Sequence, residues 1–231
     1  MPKPNAPSPA KANPDRAALK RVGERVRARL AGDPTARREP VEQAEVYSVP
    51  DFLAPAECDR FIAMVDAVAK PSALYAQSYD TGVRTSYSGD VDPQDSFVRM
   101  ITRRIDDLLG LDGAWGETVQ GQRYLAGQEF KLHCDWFPTD SEFWANESRQ
   151  GGQRSWTAMI YLNDVEEGGA TEFPYAHFAS TPRRGTLLTW NNATPEGEPN
   201  MMTLHAGTPV VRGTKYIITK WYRTRPWAQH G

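Results

Sequence analysis

The sequence predicts a mainly β domain of the α+β class, a jelly-roll core with supporting helices before it, and three observations carry that expectation. Helical periodicity is confined to the first half of the chain. From about residue 118 onward, short β-branched and aromatic runs follow one another between Gly, Pro, Asn and Asp, the pattern of a sandwich or barrel. No internal repeat and no nucleotide-binding glycine loop points to another architecture.

The elements follow in order. Residues 1–44 are expected as a basic extension that opens on the Pro-rich run MPKPNAPSPAKANP, which predicts a disordered or extended arm. Behind it Leu19, Val22, Val26 and Leu30 recur at helical spacing among arginines and predict a narrow amphipathic helix over about 15–31. The domain proper is expected over 45–231. Residues 45–49 read as a strand, and Pro55 opens a helix to about residue 70 with Phe61, Ile62, Val65 and Val68 on one side. A second helix is expected with Asp92 as N-cap and Pro93 at the first helical position, stopped by Gly110. Strands are expected over 118–125, 129–135, 156–163, 185–190, 201–205, 208–212 and 214–223.

The formal net charge of -2 over 231 residues conceals an asymmetry. Residues 1–38 hold ten Lys or Arg and three acids, a net of +7, which leaves -9 for the remainder. The basic helix face can dock on the acidic domain, touch nucleic acid or stay solvated; solvation is the default, and nucleic acid is not an expected partner. No run approaches the roughly 18 apolar residues of a membrane span, and the first thirty residues lack the apolar region of a secretory signal. A cytoplasmic protein without membrane contact is therefore expected. Its two cysteines, Cys58 and Cys134, are too few for a disulfide framework or a Cys-based zinc site, although they can pair.

Chemistry enters at Lys131-Leu132-His133-Cys134-Asp135-Trp136. On a strand, residues i and i+2 share a face, so His133 and Asp135 can present an imidazole and a carboxylate to one ion while Cys134 points away. A His-x-Asp pair alone is weak, and His205, on a later strand, is the expected third ligand. Two His and one carboxylate leave open positions on an octahedral ion, as in non-heme Fe(II) oxygenases, whereas a closed zinc site wants a fourth protein ligand. His177, in a turn, and His230, near the C-terminus, are poorer candidates. Alternation along residues 215–223 puts Lys215, Ile217, Thr219 and Trp221 on one face. If that face looks inward, Lys215 is a cation at the end of an apolar slot and calls for an anion; the alternative is a surface lysine on an edge strand.

These residues resemble the prolyl 4-hydroxylase group of Fe(II)/2-oxoglutarate-dependent dioxygenases. The similarity runs from Tyr47-Ser48-Val49-Pro50-Asp51-Phe52-Leu53 to Lys220-Trp221-Tyr222-Arg223. It passes through Arg84-Thr85-Ser86, the stretch from Arg123 to Asp135, the block Tyr161 to Pro174, and His205 through Trp221. The resemblance implies a double-stranded β-helix of the cupin-like jelly-roll type, with Fe(II) held by His133, Asp135 and His205. It also implies 2-oxoglutarate as cosubstrate, its distal carboxylate meeting Lys215, Tyr124 and Thr171, with O2 as oxidant and ascorbate maintaining Fe(II). The implied reaction couples decarboxylation of 2-oxoglutarate to succinate with hydroxylation of an unactivated C–H bond, above all in a peptidyl proline.

A peptide or protein substrate follows, with Arg154, Trp221 and Phe130 matching positions near it. At Phe130 the family commonly carries a tyrosine beside the substrate proline, so this chain keeps the ring and lacks the hydroxyl. Residues 138–155 read as a lid, with Phe143 and Trp144 as covers and Gly151-Gly152 as a hinge. The alternatives are hydroxylation of another residue or an amino-acid-like molecule, a metal-binding module without catalysis, and zinc hydrolysis with Glu129 or Glu172 as base.

Overall fold

The computed structural model describes residues 13–72 and 83–227; the Pro-rich first dozen residues and His230 lie outside them. In chain order the elements are α1 (Arg16–Ala31), β1 (Arg37–Arg38), β2 (Val46–Val49), α2 (Pro55–Val68), β3 (Lys70–Pro71), β4 (Tyr87–Asp90), α3 (Ser96–Leu109), β5 (Gln120–Tyr124), β6 (Phe130–His133), α4 (Trp144–Arg149), β7 (Arg154–Tyr161), β8 (Glu167–Gly168), β9 (Thr171–Phe173), β10 (Phe178–Ser180), β11 (Leu187–Asn191), β12 (His205–Gly207), β13 (Val210–Arg212) and β14 (Lys215–Arg223). The strands pair antiparallel in an eight-stranded sheet, ordered β1-β2-β11-β7-β14-β5-β4-β3, and a four-stranded sheet, ordered β10-β9-β12-β6; β13 and β8 form a ribbon.

Period-two alternation on the large sheet divides the core in two. Trp156, Ala158 and Ile160 of β7, with Ile218 and Tyr222 of β14, pack against the helices together with Val26, Phe61, Val65, Ile101 and Ile105. The intervening residues Met159, Tyr161 and Ile217 face the other way and meet Phe173, Leu188, Trp190 and Val210 inside the roll. The helices thus cover one face of the large sheet, and the small sheet covers the other.

Local signals place most boundaries, with two differences. Helix α3 starts after Asp95, whose side chain accepts from the amides of Phe97 (2.7 Å) and Val98 (3.2 Å), and ends at Gly110 in the left-handed region at φ 64°. Asp92 instead caps the turn before it, accepting from the Gln94 amide at 2.8 Å. Residues 201–205, expected as a strand, contain a helical turn at Met201–Thr203 with Asn200 accepting from the Met202 amide (3.0 Å), and β12 starts only at His205.

The larger difference concerns the extension. Leu19, Val22, Val26 and Leu30 of α1 are buried as the periodicity predicts. The helix is not a solvated accessory, however: Val22, Val26 and Leu30 belong to the helix-side core. Arg27 pairs with Glu45 at 3.0 Å, Arg29 donates to the Asp107 carbonyl (3.0 Å), and buried Asp15 accepts from the Gln153 amide (2.7 Å) and the Thr224 hydroxyl (3.0 Å). The basic helix docks on the acidic domain. Cys58 and Cys134 are both free thiols.

Candidate active site

His133 and His205 are direct cross-strand partners on β6 and β12, and Asp135 lies two residues past His133. Their ligand atoms all lie within 4.8 Å of one another, and they are the one such group of His, Cys, Asp or Glu among the described residues. Each histidine has Nδ1 against a backbone carbonyl two residues earlier, Lys131 for His133 (2.8 Å) and Thr203 for His205 (3.0 Å). A carbonyl only accepts, so Nδ1 carries the hydrogen and Nε2 keeps its lone pair. Burial and neighbouring His205 pull the His133 imidazole down to about 3, so it is neutral at ordinary pH. Burial pushes the Asp135 carboxyl up, but His205, His133, Arg154 and a bond from Thr157 outweigh it and hold the group below its ordinary value. Two neutral imidazoles and one carboxylate, with no fourth protein donor in the group, fit a metal ion with open positions.

Lys215, Ile217, Thr219 and Trp221 all line the cavity beside this group, so the predicted face of β14 does look inward. Lys215 is 2% exposed, and no acidic side chain among the described residues pairs with it. Its Nζ lies over the rings of Tyr124 (5.3 Å) and Tyr161 (5.6 Å), and burial pulls the amine down to about 7. A buried cation without an anion fits a carboxylate ligand. Tyr124 is its cross-strand partner, and Thr171 lines the same cavity from β9. The Thr171 hydroxyl accepts from Tyr161 at 2.8 Å, which leaves its own proton near the weak acceptor Sδ of Met159.

A second, outer cleft adjoins the cavity; Phe130, His133, Asp135 and Trp221 line both and form the neck between them. Phe130 stacks on the His133 ring at 3.5 Å between centroids with 11° between planes. Arg154 lines the cleft, lies over the Trp221 ring at 4.2 Å and gives Glu117 two bonds of 2.7 Å. Cys134 lines this cleft and not the inner cavity, although β6, expected to reach Asp135, ends at His133.

Within 138–155, Phe143 lines the cleft and Trp144 does not. The expected hinge is a pinned turn. Gly151 and Gly152 are buried at φ 127° and 78°, the Gly152 amide donates to the Glu147 carbonyl at 3.0 Å, and a Cβ on Gly152 would run into the Asp15 carboxylate. Glu147 of α4, 1% exposed, is held by Arg223 at 2.7 Å.

Several contributors escaped the sequence. Thr157 donates to Asp135 Oδ2 at 2.6 Å and accepts from Asn192 Nδ2 at 2.9 Å, which fixes the carboxylate. Trp190 and Phe173 pack on the His205 ring at 4.8 and 5.4 Å. Gln122 lines the inner cavity. The available signal was polar residues at inward positions of buried strands. His177 is exposed at a turn, and Glu129 and Glu172, the bases expected for hydrolysis, line neither space.

Comparison with known proteins agrees with this geometry. The model of the 2OG-Fe(II) oxygenase superfamily matches residues 119–223. The chain is 34% identical to probable prolyl 4-hydroxylase 3 of Arabidopsis thaliana over 74% of this chain and 66% of the relative. It is 33% identical to prolyl 4-hydroxylase 5 of the same plant over 78% and 68%, so it spans about two thirds of the length of these relatives. The crystal structure of a viral collagen prolyl hydroxylase from Paramecium Bursaria Chlorella virus-1, in complex with 2OG, superposes with a TM-score of 0.61 at 27% identity, covering 77% of this chain and 95% of that one. That family uses Fe(II), 2-oxoglutarate and O2, typically with ascorbate, on a double-stranded β-helix. With two histidines and an aspartate converging beside a buried lysine, this chain belongs to the prolyl 4-hydroxylase family of 2OG-Fe(II) oxygenases.

Proposed function

We propose that this chain hydroxylates a proline within a peptide or protein, using Fe(II), 2-oxoglutarate and O2. The observation that carries the reading is the convergence of His133, Asp135 and His205 at the mouth of a cavity in which Lys215 is buried without an anion. In this reading the three ligands hold iron, which when bound supplies oxygen activation coupled to decarboxylation of 2-oxoglutarate to succinate. Lys215 anchors the distal carboxylate, and Tyr124 and Thr171 supply hydroxyl donors beside it. Met159 and Ile217 give the cavity apolar walls that exclude water. Thr157 and the two Nδ1–carbonyl bonds orient the ligands.

The outer cleft receives the substrate, and the neck residues Phe130 and Trp221 flank the C–H bond to be oxidised. Arg154, committed to Glu117, shapes the cleft wall and adds positive charge beside Asp135. Phe130 favours a second reading, in which the oxidised residue is other than proline, because its ring offers no hydroxyl to a substrate. The test is incubation of the full chain with Fe(II), 2-oxoglutarate and ascorbate against a proline-containing peptide library, read by mass spectrometry. A gain of one oxygen on proline, lost in His133→Ala, is expected; absence of succinate with every peptide would overturn the reading.

A further inference from the structure

Three polar side chains of the inner cavity are wired in series. Tyr124 Oη donates to Gln122 Oε1 at 2.7 Å, and Gln122 Nε2 donates to Thr219 Oγ1 at 3.1 Å. All three line the cavity and are at most 4% exposed. On the β5–β14 ladder Gln122 stands opposite Ile217, midway between the Lys215–Tyr124 and Thr219–Gln120 pairs. It therefore bridges the lysine end of the cavity and the end that opens on the cleft.

Proton accounting decides what this wiring permits. A phenol has one proton, and here it goes to Gln122, so Tyr124 turns only lone pairs toward the cavity. A carboxylate accepts and cannot donate, so it meets repulsion there unless the phenol proton leaves Gln122. Abandoning a buried amide oxygen forfeits its hydrogen bond and carries its full desolvation penalty. A half-turn of the Gln122 amide removes that cost without moving any other heavy atom. Nε2 then donates to Tyr124 Oη, and Oε1 accepts from the Thr219 hydroxyl, whose proton has no protein acceptor in the first arrangement. The second arrangement gives the Thr219 proton an acceptor and releases the phenol proton to a ligand.

We propose that Gln122 is a positioning residue for the cosubstrate: its amide turns over when an anionic ligand enters, releasing the Tyr124 proton to the ligand and taking the Thr219 proton in exchange. The inference rests on the assignment of this cavity to 2-oxoglutarate. The test is calorimetric affinity for 2-oxoglutarate at pH 8, on the full chain loaded with Mn(II) in place of iron so that no turnover intervenes. Tyr124→Phe should weaken binding about tenfold, Gln122→Leu, which removes the competing acceptor, should not weaken it, and the double variant should match Tyr124→Phe, because the glutamine acts through the phenol. Gln122→Glu, which can only accept and adds negative charge, should weaken binding about 100-fold. Thr219→Val, which removes the compensating donor, should weaken it several-fold and serves if the Gln122 variants do not fold. Weaker binding in the double variant than in Tyr124→Phe, or wild-type affinity in Gln122→Glu or Thr219→Val, would overturn the proposal. Wild-type protein that binds Mn(II) but no 2-oxoglutarate would overturn the cosubstrate reading along with it.

Discussion

Replacing Lys215 by Met tests the anion site through stability as well as binding. Burial alone takes the amine from 10.5 to about 7. At roughly 1.4 kcal/mol per pH unit, that displacement is equivalent to about 5 kcal/mol of penalty on the ammonium in the ligand-free cavity. The sign follows from proton counting. Between pH 7 and 10.5 the unfolded chain keeps the proton that the folded chain has lost, so stability attributable to Lys215 rises with pH across that window. Below pH 7 both states are protonated and the full penalty remains. Lys215→Met should therefore stabilise the ligand-free protein most below pH 7, and its advantage should shrink as the pH rises toward 10. With 2-oxoglutarate the order reverses: the carboxylate retains the ammonium, so wild-type affinity should fall as pH rises above 7, and the variant should bind poorly throughout. Urea unfolding of both proteins from pH 6 to 10, with calorimetry in buffers of different ionisation enthalpy, reads both effects. A stability difference that stays flat over this range, or 2-oxoglutarate binding without proton uptake at pH 8, would refute the reasoning.

Three further expectations follow from the packing. Thr157→Val removes the hydroxyl that orients Asp135 and should weaken Mn(II) affinity about 10- to 100-fold with little change in fold, as calorimetry and circular dichroism would register. Phe130→Tyr adds a hydroxyl at the neck without displacing the ring from His133; a rise in turnover of proline peptides by up to about tenfold is expected if the missing group limits substrate positioning, and no change would place specificity elsewhere. Asp15→Ala leaves the Gln153 amide without its acceptor and Arg225 without its carboxylate, and should cost about 2–4 kcal/mol in chemical denaturation, whereas an independent arm would tolerate it.

The site was legible in the sequence to an uneven degree. His133 and Asp135 could be read together because they are two residues apart, and the face carrying Lys215, Ile217, Thr219 and Trp221 followed from period-two alternation within β14. His205 was nominated by residue type, and its position beside His133 depends on β12 pairing with β6 across some seventy residues. The cap of α3 was missed by three residues because Asp92 and Asp95 both offer a capping oxygen, and the one that meets two helical amides prevails. Gly151-Gly152 reads as a hinge from composition alone, yet the same absence of Cβ here admits Asp15 from a distant helix start.

What the sequence by itself determined is local: the amphipathic spacing of α1, the helical starts and stops, the alternation of the strands and the identity of the groups able to bind a metal or an anion. The tertiary structure alone decided which of them converge and in what medium. It buried Lys215 away from any described carboxylate, brought Thr157 to Asp135 and Gln122 to Tyr124, and drew the +7 extension onto the -9 domain through α1. The division has a physical reason. Backbone preference and periodicity act over one or two turns of chain, whereas burial, desolvation and side-chain hydrogen bonds depend on strand register between segments far apart in sequence.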